Sequence, residues 1–322
     1  MDIPEGAIEF NKAYDSQEKC LALLEKVRWP NGFICPNCGH DDGYRLKTRP
    51  LIQCTLCRSQ ASVTSGTVFH KSHLPLPVWF YIIFSTALDK GGGSSCRIAA
   101  ELAIQQKTVW NILHKLRHAM GLRDELIRLA GFIELDEAVL GPHARRPTIS
   151  AEDRVNQPDA KVKARGRKKK DGSRRKTQTD VLVLVEQERQ SLGVTAMKVL
   201  DSVSADSIKE VLVRRIDENQ YIKCDGLQAH HNALRGFNCS YEAVVCSGPA
   251  GLIELPIVHR AISLLKLSLM GTYFGVSKKH LQSYLNEFCF RLSRKDSSQP
   301  IWLSILRACV FATPITQAEI NA

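Results

Sequence analysis

Two cysteine pairs, Cys35-x2-Cys38 and Cys54-x2-Cys57, stand fifteen residues apart in FICPNCGH…IQCTLCR. This spacing constrains the chain more than any other feature. A CxxC turn puts two thiolates on one tight turn, and two such turns can close a tetrahedron around Zn²⁺. A redox dithiol is the alternative, but the spacing fits the four-cysteine zinc pattern. Gly39, directly after the second cysteine, suits the turn. Four thiolates leave no open coordination position, so such a metal folds a module and catalyses nothing. The other seven of the eleven cysteines are scattered singly, which points to a reducing, cytoplasmic setting and not to a disulfide scaffold.

Around this ribbon, at 31–72, the remaining 322-residue chain divides by pattern. Residues 1–30 read as a helical lead, with an amphipathic stretch at Glu18–Val27. Residues 73–125 read as a helical module, and 126–295 as an α/β domain with a mixed sheet. A basic insertion at 143–177 interrupts that domain, and 296–322 form a C-terminal tail. The mostly apolar run Leu74–Leu88 has 15 residues, too short for a comfortable membrane span, so no membrane partner is expected. The opening MDIPEGAIEF lacks the pattern of a secretory signal.

The net charge of +11 points to a polyanion partner, nucleic acid first. Most of it sits in Asp159–Thr177, with ten Lys/Arg against two Asp. There Lys168, Lys169 and Lys170 could neutralise phosphates in a salt-dependent, sequence-independent way; a solvated loop is the plainer reading. Residues 94–118, SSCRIAAELAIQQKTVWNILHKLRH, predict two short helices joined near Ala103–Gln106. Ile98, Ala99 and Leu102 would pack on Val109, Ile112 and Leu113. Lys107, Thr108, Asn111, Lys115 and Arg117 would then face outward, as in a helix-turn-helix whose second helix enters the major groove. An ordinary helical hairpin with a basic face is the alternative.

Two acids fall on predicted strands. In IELDEAV, alternation places Glu134, Asp136 and Ala138 on one face. Asp225 ends the strand of YIKCDGLQAHH, with Gly226 after it. A mid-strand acid is costly to bury unless it binds a cation. Two carboxylates at strand ends can hold divalent ions roughly 3.5–4 Å apart for phosphoryl transfer. An edge-strand acid beside an Asp-Gly turn is the commoner explanation of either one alone.

From about Cys20 onward the chain resembles the bacterial insertion-sequence transposases with an N-terminal zinc ribbon and a DDE-type catalytic domain (ISXO-type, related to the Merlin elements). The resemblance rests on RWPNGFICPNCGH, QCTLCRSQASVTSGTVFHKSHLPL, KTVWNILHKLRHAMG, IELDEAVLG, CDG, LPIVHRAIS and GVSKKHLQSYLNEFCFR, in that order. It implies an RNase-H-like fold, Mg²⁺ or Mn²⁺ dependence, double-stranded DNA of the element's terminal repeats as partner, and a homo-oligomer, dimer or larger, on that DNA. Asp136 matches the family's first catalytic Asp and Asp225 its second.

The family's third position is Asn, Glu or His on the helix after the last strand. Where close relatives have Ser-Asn-Leu-Lys, this chain has Ser263-Leu264-Leu265-Lys266, and leucine cannot ligate a metal. His259, about one turn earlier, is the nearest substitute; Glu134 and Glu287 are weaker ones. Lys266 could contact a phosphate. Other departures are Val139, Gly141-Pro142, Leu227 and Leu292-Ser293-Arg294-Lys295. Two functions therefore stand: an active transposase, or a domesticated or decayed one that keeps DNA binding without cleavage.

Overall fold

The computed structural model describes residues 4, 6–141, 178–189, 191–244, 254–273 and 275–321. The chain forms two compact units: residues 1–127 together with 294–322, and residues 128–293.

The first unit begins with helices α1 (Ala7–Ala13) and α2 (Gln17–Arg28), followed by a three-stranded antiparallel sheet of β1 (Gly43–Arg45), β2 (Ile52–Cys54) and β3 (Gln60–Ala61). The apolar run at 74–88 becomes α3 (Leu76–Leu88), which carries no charge and buries Trp79, Phe80, Ile82, Ile83 and Phe84. Among the described residues no helix is long and apolar enough to cross a membrane.

The expected helix pair is α4 (Ser95–Leu102) and α5 (Gln106–Glu125). Ser94 caps α4 through the Arg97 N–H, and Ala103 ends it in the left-handed region at φ 51°. Ile98, Ala99, Val109, Ile112 and Leu113 are buried as expected.

The segment set apart above as a tail contains two helices, α10 (Ile301–Phe311) and α11 (Gln317–Asn321). In α10, Trp302, Leu303, Ile305, Leu306, Cys309 and Val310 are buried. Phe10 stacks on Phe84 at 4.1 Å and meets Trp302 edge-on at 5.1 Å. The last residues of the chain thus complete a core begun by the first.

The second unit is a five-stranded mixed sheet in the order β6-β5-β4-β7-β8, formed by β4 (Phe132–Leu140), β5 (Thr179–Glu188), β6 (Ser191–Leu200), β7 (Gln220–Asp225) and β8 (Cys239–Val244). The first three strands are antiparallel neighbours; β7 and β8 run parallel to β4. This is the mixed α/β sheet the sequence pattern and the family resemblance led us to expect.

Both faces are covered, which explains why β5 reads as a nearly unbroken apolar run. Val181, Val183 and Val185 face one core, shared with α8 (Pro256–Thr272) and α9 (Lys278–Leu292). Leu182 and Leu184 face the other, shared with α6 (Ala205–Arg215) and α7 (Gln228–Arg235).

One contact sets the position of α8. Its first residue is Pro256, which has no N–H, and Leu255 offers no side-chain cap. The Glu134 carboxylate on β4 supplies one from the neighbouring strand: the N–H groups of Ile257 and Val258 both donate to Glu134 Oε2 at 2.8 Å. A negative charge there meets both the unpaired donors and the positive end of the helix dipole. Glu134 is only 2% exposed. Burial raises its pKa, and the two N–H donors offset this in part. Glu134 Oε2 is thus engaged by the helix backbone.

Replacing Glu134 with Leu strands two buried donors and should cost on the order of 2–4 kcal/mol in chemical denaturation; Gln, which keeps an acceptor, should cost less. A Leu variant as stable as wild type would refute the cap.

Candidate functional site

Asp136 lies on β4 and Asp225 at the end of β7. The parallel pairing of these strands carries Leu135 beside Cys224, so the next residue on each strand is an aspartate. The sequence alternation holds: Leu135 and Cys224 point into the core under α7, while Ala138 and Val244, paired with Asp225, face the α8 side. From α8, His259 brings Nδ1 to 3.5 Å from Asp136 Oδ2. The three residues singled out as catalytic are therefore gathered at one place.

Their electrostatics diverge. Burial, helped by the charges of Asp225 and Glu137, pushes the Asp136 carboxyl up to about 6 against the N–H of Glu137 and the His259 ring. Burial also acts on Asp225, but His230 and the Leu227 N–H outweigh it and hold that carboxyl below its ordinary value. Two adjacent acids are thus driven apart, with the more buried one the more reluctant to ionise.

Two residues of the site were not singled out from the sequence. Glu137 follows Asp136 on β4, and His230 sits in the first turn of α7. His230 Nδ1 lies 2.5 Å from Asp225 Oδ1, and its Nε2 lies 3.0 Å from Glu137 Oε1. Burial alone would lower the imidazole, yet Asp225, Cys224 and Glu137 together raise it to about 11. The visible signal was the spacing of DGLQAHH: a strand end, a glycine and a short helix turn the chain back, so the residue five positions on returns to the aspartate.

The other named residues have separate fates. Leu264 is 37% exposed on α8, and Lys266 is exposed on the same helix. Glu287, on α9, is buried and accepts from Tyr273 Oη at 3.2 Å, with Arg291 3.7 Å away. On α5, Lys107 is exposed, and Thr108, Asn111 and Lys115 are half-buried. Lys115 reaches over the Trp79 ring at 6.0 Å. The expectation that Arg117 faces outward is corrected: it is 1% exposed, because α5 runs as one 20-residue helix whose later turns are packed inside the first unit. Lys168, Lys169 and Lys170 and the basic insertion fall outside the described residues.

In the ribbon, Cys35, Cys38, Cys54 and Cys57 converge, one sulfur from each within 4.8 Å of every other. The Cys35–Cys57 and Cys38–Cys54 Sγ distances are 3.6 and 3.7 Å. A tetrahedron with Zn–S bonds of about 2.3 Å has edges of about 3.8 Å, so the cage has the right size. Both turns close alike: the Gly39 N–H donates to the Cys35 carbonyl and the Arg58 N–H to the Cys54 carbonyl. Gly39 and Arg58 both have positive φ, 74° and 62°.

The thiols also fit a cation. Ser59 holds Cys57 down at about 5. At Cys38 the His40 N–H acts in the same direction, but the neighbouring cysteines and burial prevail and raise it to about 12. Four sulfurs this close cannot all ionise without a positive charge among them.

Residues 128–293 match the ISXO2-like transposase domain, and residues 15–60 match the transposase zinc-ribbon domain. The first match covers more than half of the chain, which belongs to the ISXO2-like insertion-sequence transposases. A relative is the uncharacterized protein in transposable element ISH50 of Halobacterium salinarum, 24% identical over 288 residues that cover 87% of this chain and 92% of that one. Among solved structures, a simian T-cell lymphotropic virus intasome in complex with PP2A regulatory subunit B56 gamma aligns with 12% identity, 60% of this chain and a TM-score of 0.28. The chain spans 63% of that solved chain, less than two thirds of its length. A pre-cleavage Mos1 transpososome aligns with 11% identity over 72% of this chain and 79% of that one, with a TM-score of 0.24.

An acid held above its ordinary pKa favours the folded state only at low pH. For Asp136 that contribution is complete below about 4 and is lost as pH rises through about 6, leaving a burial penalty at neutral pH. Asp136→Asn should therefore raise stability at pH 7.5 without divalent ions, by on the order of 2 kcal/mol, and flatten the pH dependence between 4 and 6. Denaturation curves across that range check it; an unchanged profile would contradict the burial argument.

Proposed function

We propose that this transposase binds the terminal repeats of its own element as a dimer or larger assembly and catalyses metal-dependent cleavage and joining of DNA strands. The observation that carries this reading is the convergence of Asp136, Asp225 and His259 from two adjacent parallel strands and the helix capped by Glu134. The two aspartates would hold Mg²⁺ or Mn²⁺, with His259 within reach of the same position. Bound there, the metal would supply Lewis-acid stabilisation of the reacting phosphate and a nucleophilic oxygen at neutral pH.

The protein's own residues do the rest. Burial keeps water scarce around Asp136. His230 orients the Asp225 carboxylate, and the cap on α8 keeps His259 at Asp136. Lys107, Thr108, Asn111 and Lys115 on α5 are assigned to base edges and phosphates, and Lys266 to a phosphate near the reacting strand. Lys168–Lys170 are assigned to non-specific phosphate contact. Zn²⁺ in the four-cysteine cage folds the ribbon.

A second reading, a decayed transposase that binds DNA without cutting it, is favoured by one observation: Leu264, the residue that the family resemblance aligns with the third metal ligand, is an apolar side chain, 37% exposed.

Strand cleavage and transfer on element ends with Mn²⁺ separate the two. Activity in wild type that falls at least about a thousandfold in Asp136→Ala supports the active reading; equal activity in both, including none, rejects it. Restoring a ligand with Leu264→Asn should raise activity if the site has decayed. Separately, a strong chelator should release one Zn²⁺ per chain and expose ribbon amides to hydrogen exchange, while amides of β4–β7 stay protected. Full ribbon protection without metal would refute a structural zinc.

A further inference from the structure

At the surface of the α4–α5 pair the two helix starts are joined by a polar contact. Ser95 is the first residue of α4 and Gln106 the first residue of α5. The Gln106 Nε2 amide donates to Ser95 Oγ at 2.7 Å. Gln106 is exposed and Ser95 half-buried. Such a bond adds little stability, because water bonds to an exposed amide nearly as well. Its effect is to hold still an amide that otherwise turns freely.

The atoms left over are specific. A glutamine amide has two N–H donors and a carbonyl acceptor. With one N–H given to Ser95, the second N–H and Oε1 remain side by side. In the major groove adenine presents an acceptor, N7, next to a donor, its N6 amino group, and glutamine pairs with that edge through the same two atoms. Guanine presents two acceptors there, cytosine a donor and thymine an acceptor, so none of them satisfies both.

The position agrees with the chemistry. A recognition helix sets its N-terminal residues against base edges, and Gln106 leads α5. Residues further along are withdrawn: Thr108 and Asn111 are half-buried, Asn111 Oδ1 is buried, and Lys115 reaches over the Trp79 ring. Lys107 is exposed beside Gln106, but a lysine acts as a point charge and suits a phosphate. The first turn of α5 carries no acidic side chain to oppose a phosphate backbone.

We propose that Gln106 reads an adenine in the major groove of the element's terminal repeat, and that Ser95 is the positioning residue that holds its amide in the reading plane. The bond to Ser95 uses the N–H that adenine does not need, so it persists in the complex. Lys107 then supplies affinity for any sequence and Gln106 supplies discrimination. This deepens the DNA-binding reading of α5 given above and rests on it.

Selection of tight binders from duplexes randomised across the terminal repeat, with the zinc-loaded full chain, tests this. Wild type should prefer adenine at one position, where another base lowers affinity by about 5–150-fold. Gln106→Ala should lose the preference there and keep it elsewhere. Gln106→Glu should exchange adenine for cytosine, whose amino group donates to a carboxylate. Ser95→Ala should weaken the adenine preference without moving it, and Ser95→Thr, which keeps a hydroxyl, should retain it. Lys107→Ala should weaken binding to every sequence alike and reduce its salt dependence.

Identical base preferences in wild type, Gln106→Ala and Gln106→Glu would overturn the proposal, while weakened binding in Lys107→Ala would still place α5 on the DNA. Wild-type affinity and preferences in all three variants would overturn both the proposal and the reading beneath it. An equal loss over all sequences in Gln106→Glu would also overturn it, since charge repulsion alone does that. Full adenine preference in Ser95→Ala would reject Ser95 as the positioning residue.

Discussion

The carboxylate of Glu134 joins the strand that carries Asp136 to the helix that carries His259. A helix beginning with proline and lacking a local side-chain cap has free donors at its first turn, and inside a core those donors need a partner. Glu134 supplies it with two bonds of 2.8 Å. Because Glu134 and Asp136 are two residues apart on one face of β4, fixing the helix against the first also fixes His259 against the second. The same acid therefore satisfies the backbone and sets the geometry of the site.

The site is held together under electrostatic strain. Five ionisable groups meet at the middle of β4 and the end of β7, Asp136, Glu137, Asp225, His230 and His259: one carboxyl is raised by burial, another is lowered by an imidazole, and that imidazole is raised by its neighbours. The lowered Asp225 and the raised His230 mark a pairing that stabilises the fold, while the raised Asp136 marks a burial cost at neutral pH, the kind of cost catalytic sites commonly carry. The ribbon shows the same physics with sulfur: four close thiols whose proton affinities are driven apart, in a cage of the size a tetrahedral zinc requires.

Much of this was legible along the chain because its causes are local. A CxxC turn is one tight turn, so Cys35, Cys38, Cys54 and Cys57 could be paired by spacing. Alternation on β4 and the apolar run of β5 reflect burial on one face or two, so strand faces followed directly. Asp136 and Asp225 stood out as acids among β-formers. Arg117 was misjudged because helical periodicity gives a direction but not what lies there: α5 is wrapped by its own unit, and an outward basic face became an interior one. The helix at Ile301–Phe311 was missed as a core element for the same reason, since the ring partners of its Trp302, Phe10 and Tyr14, lie more than two hundred residues earlier.

Taken alone, the sequence determined the zinc cage, the helix pair, the strand faces and the two aspartates, each set by spacing or period within a short segment. Only the tertiary structure decided what meets what. It turned Glu134 from a spare acid into a helix cap and brought His259 to Asp136. It also seated His230 and Glu137 around Asp225. Those contacts depend on β4 and β7 lying side by side and on two helices covering opposite faces of one sheet, and no local pattern encodes which side chains the sheet will bring within a few ångströms.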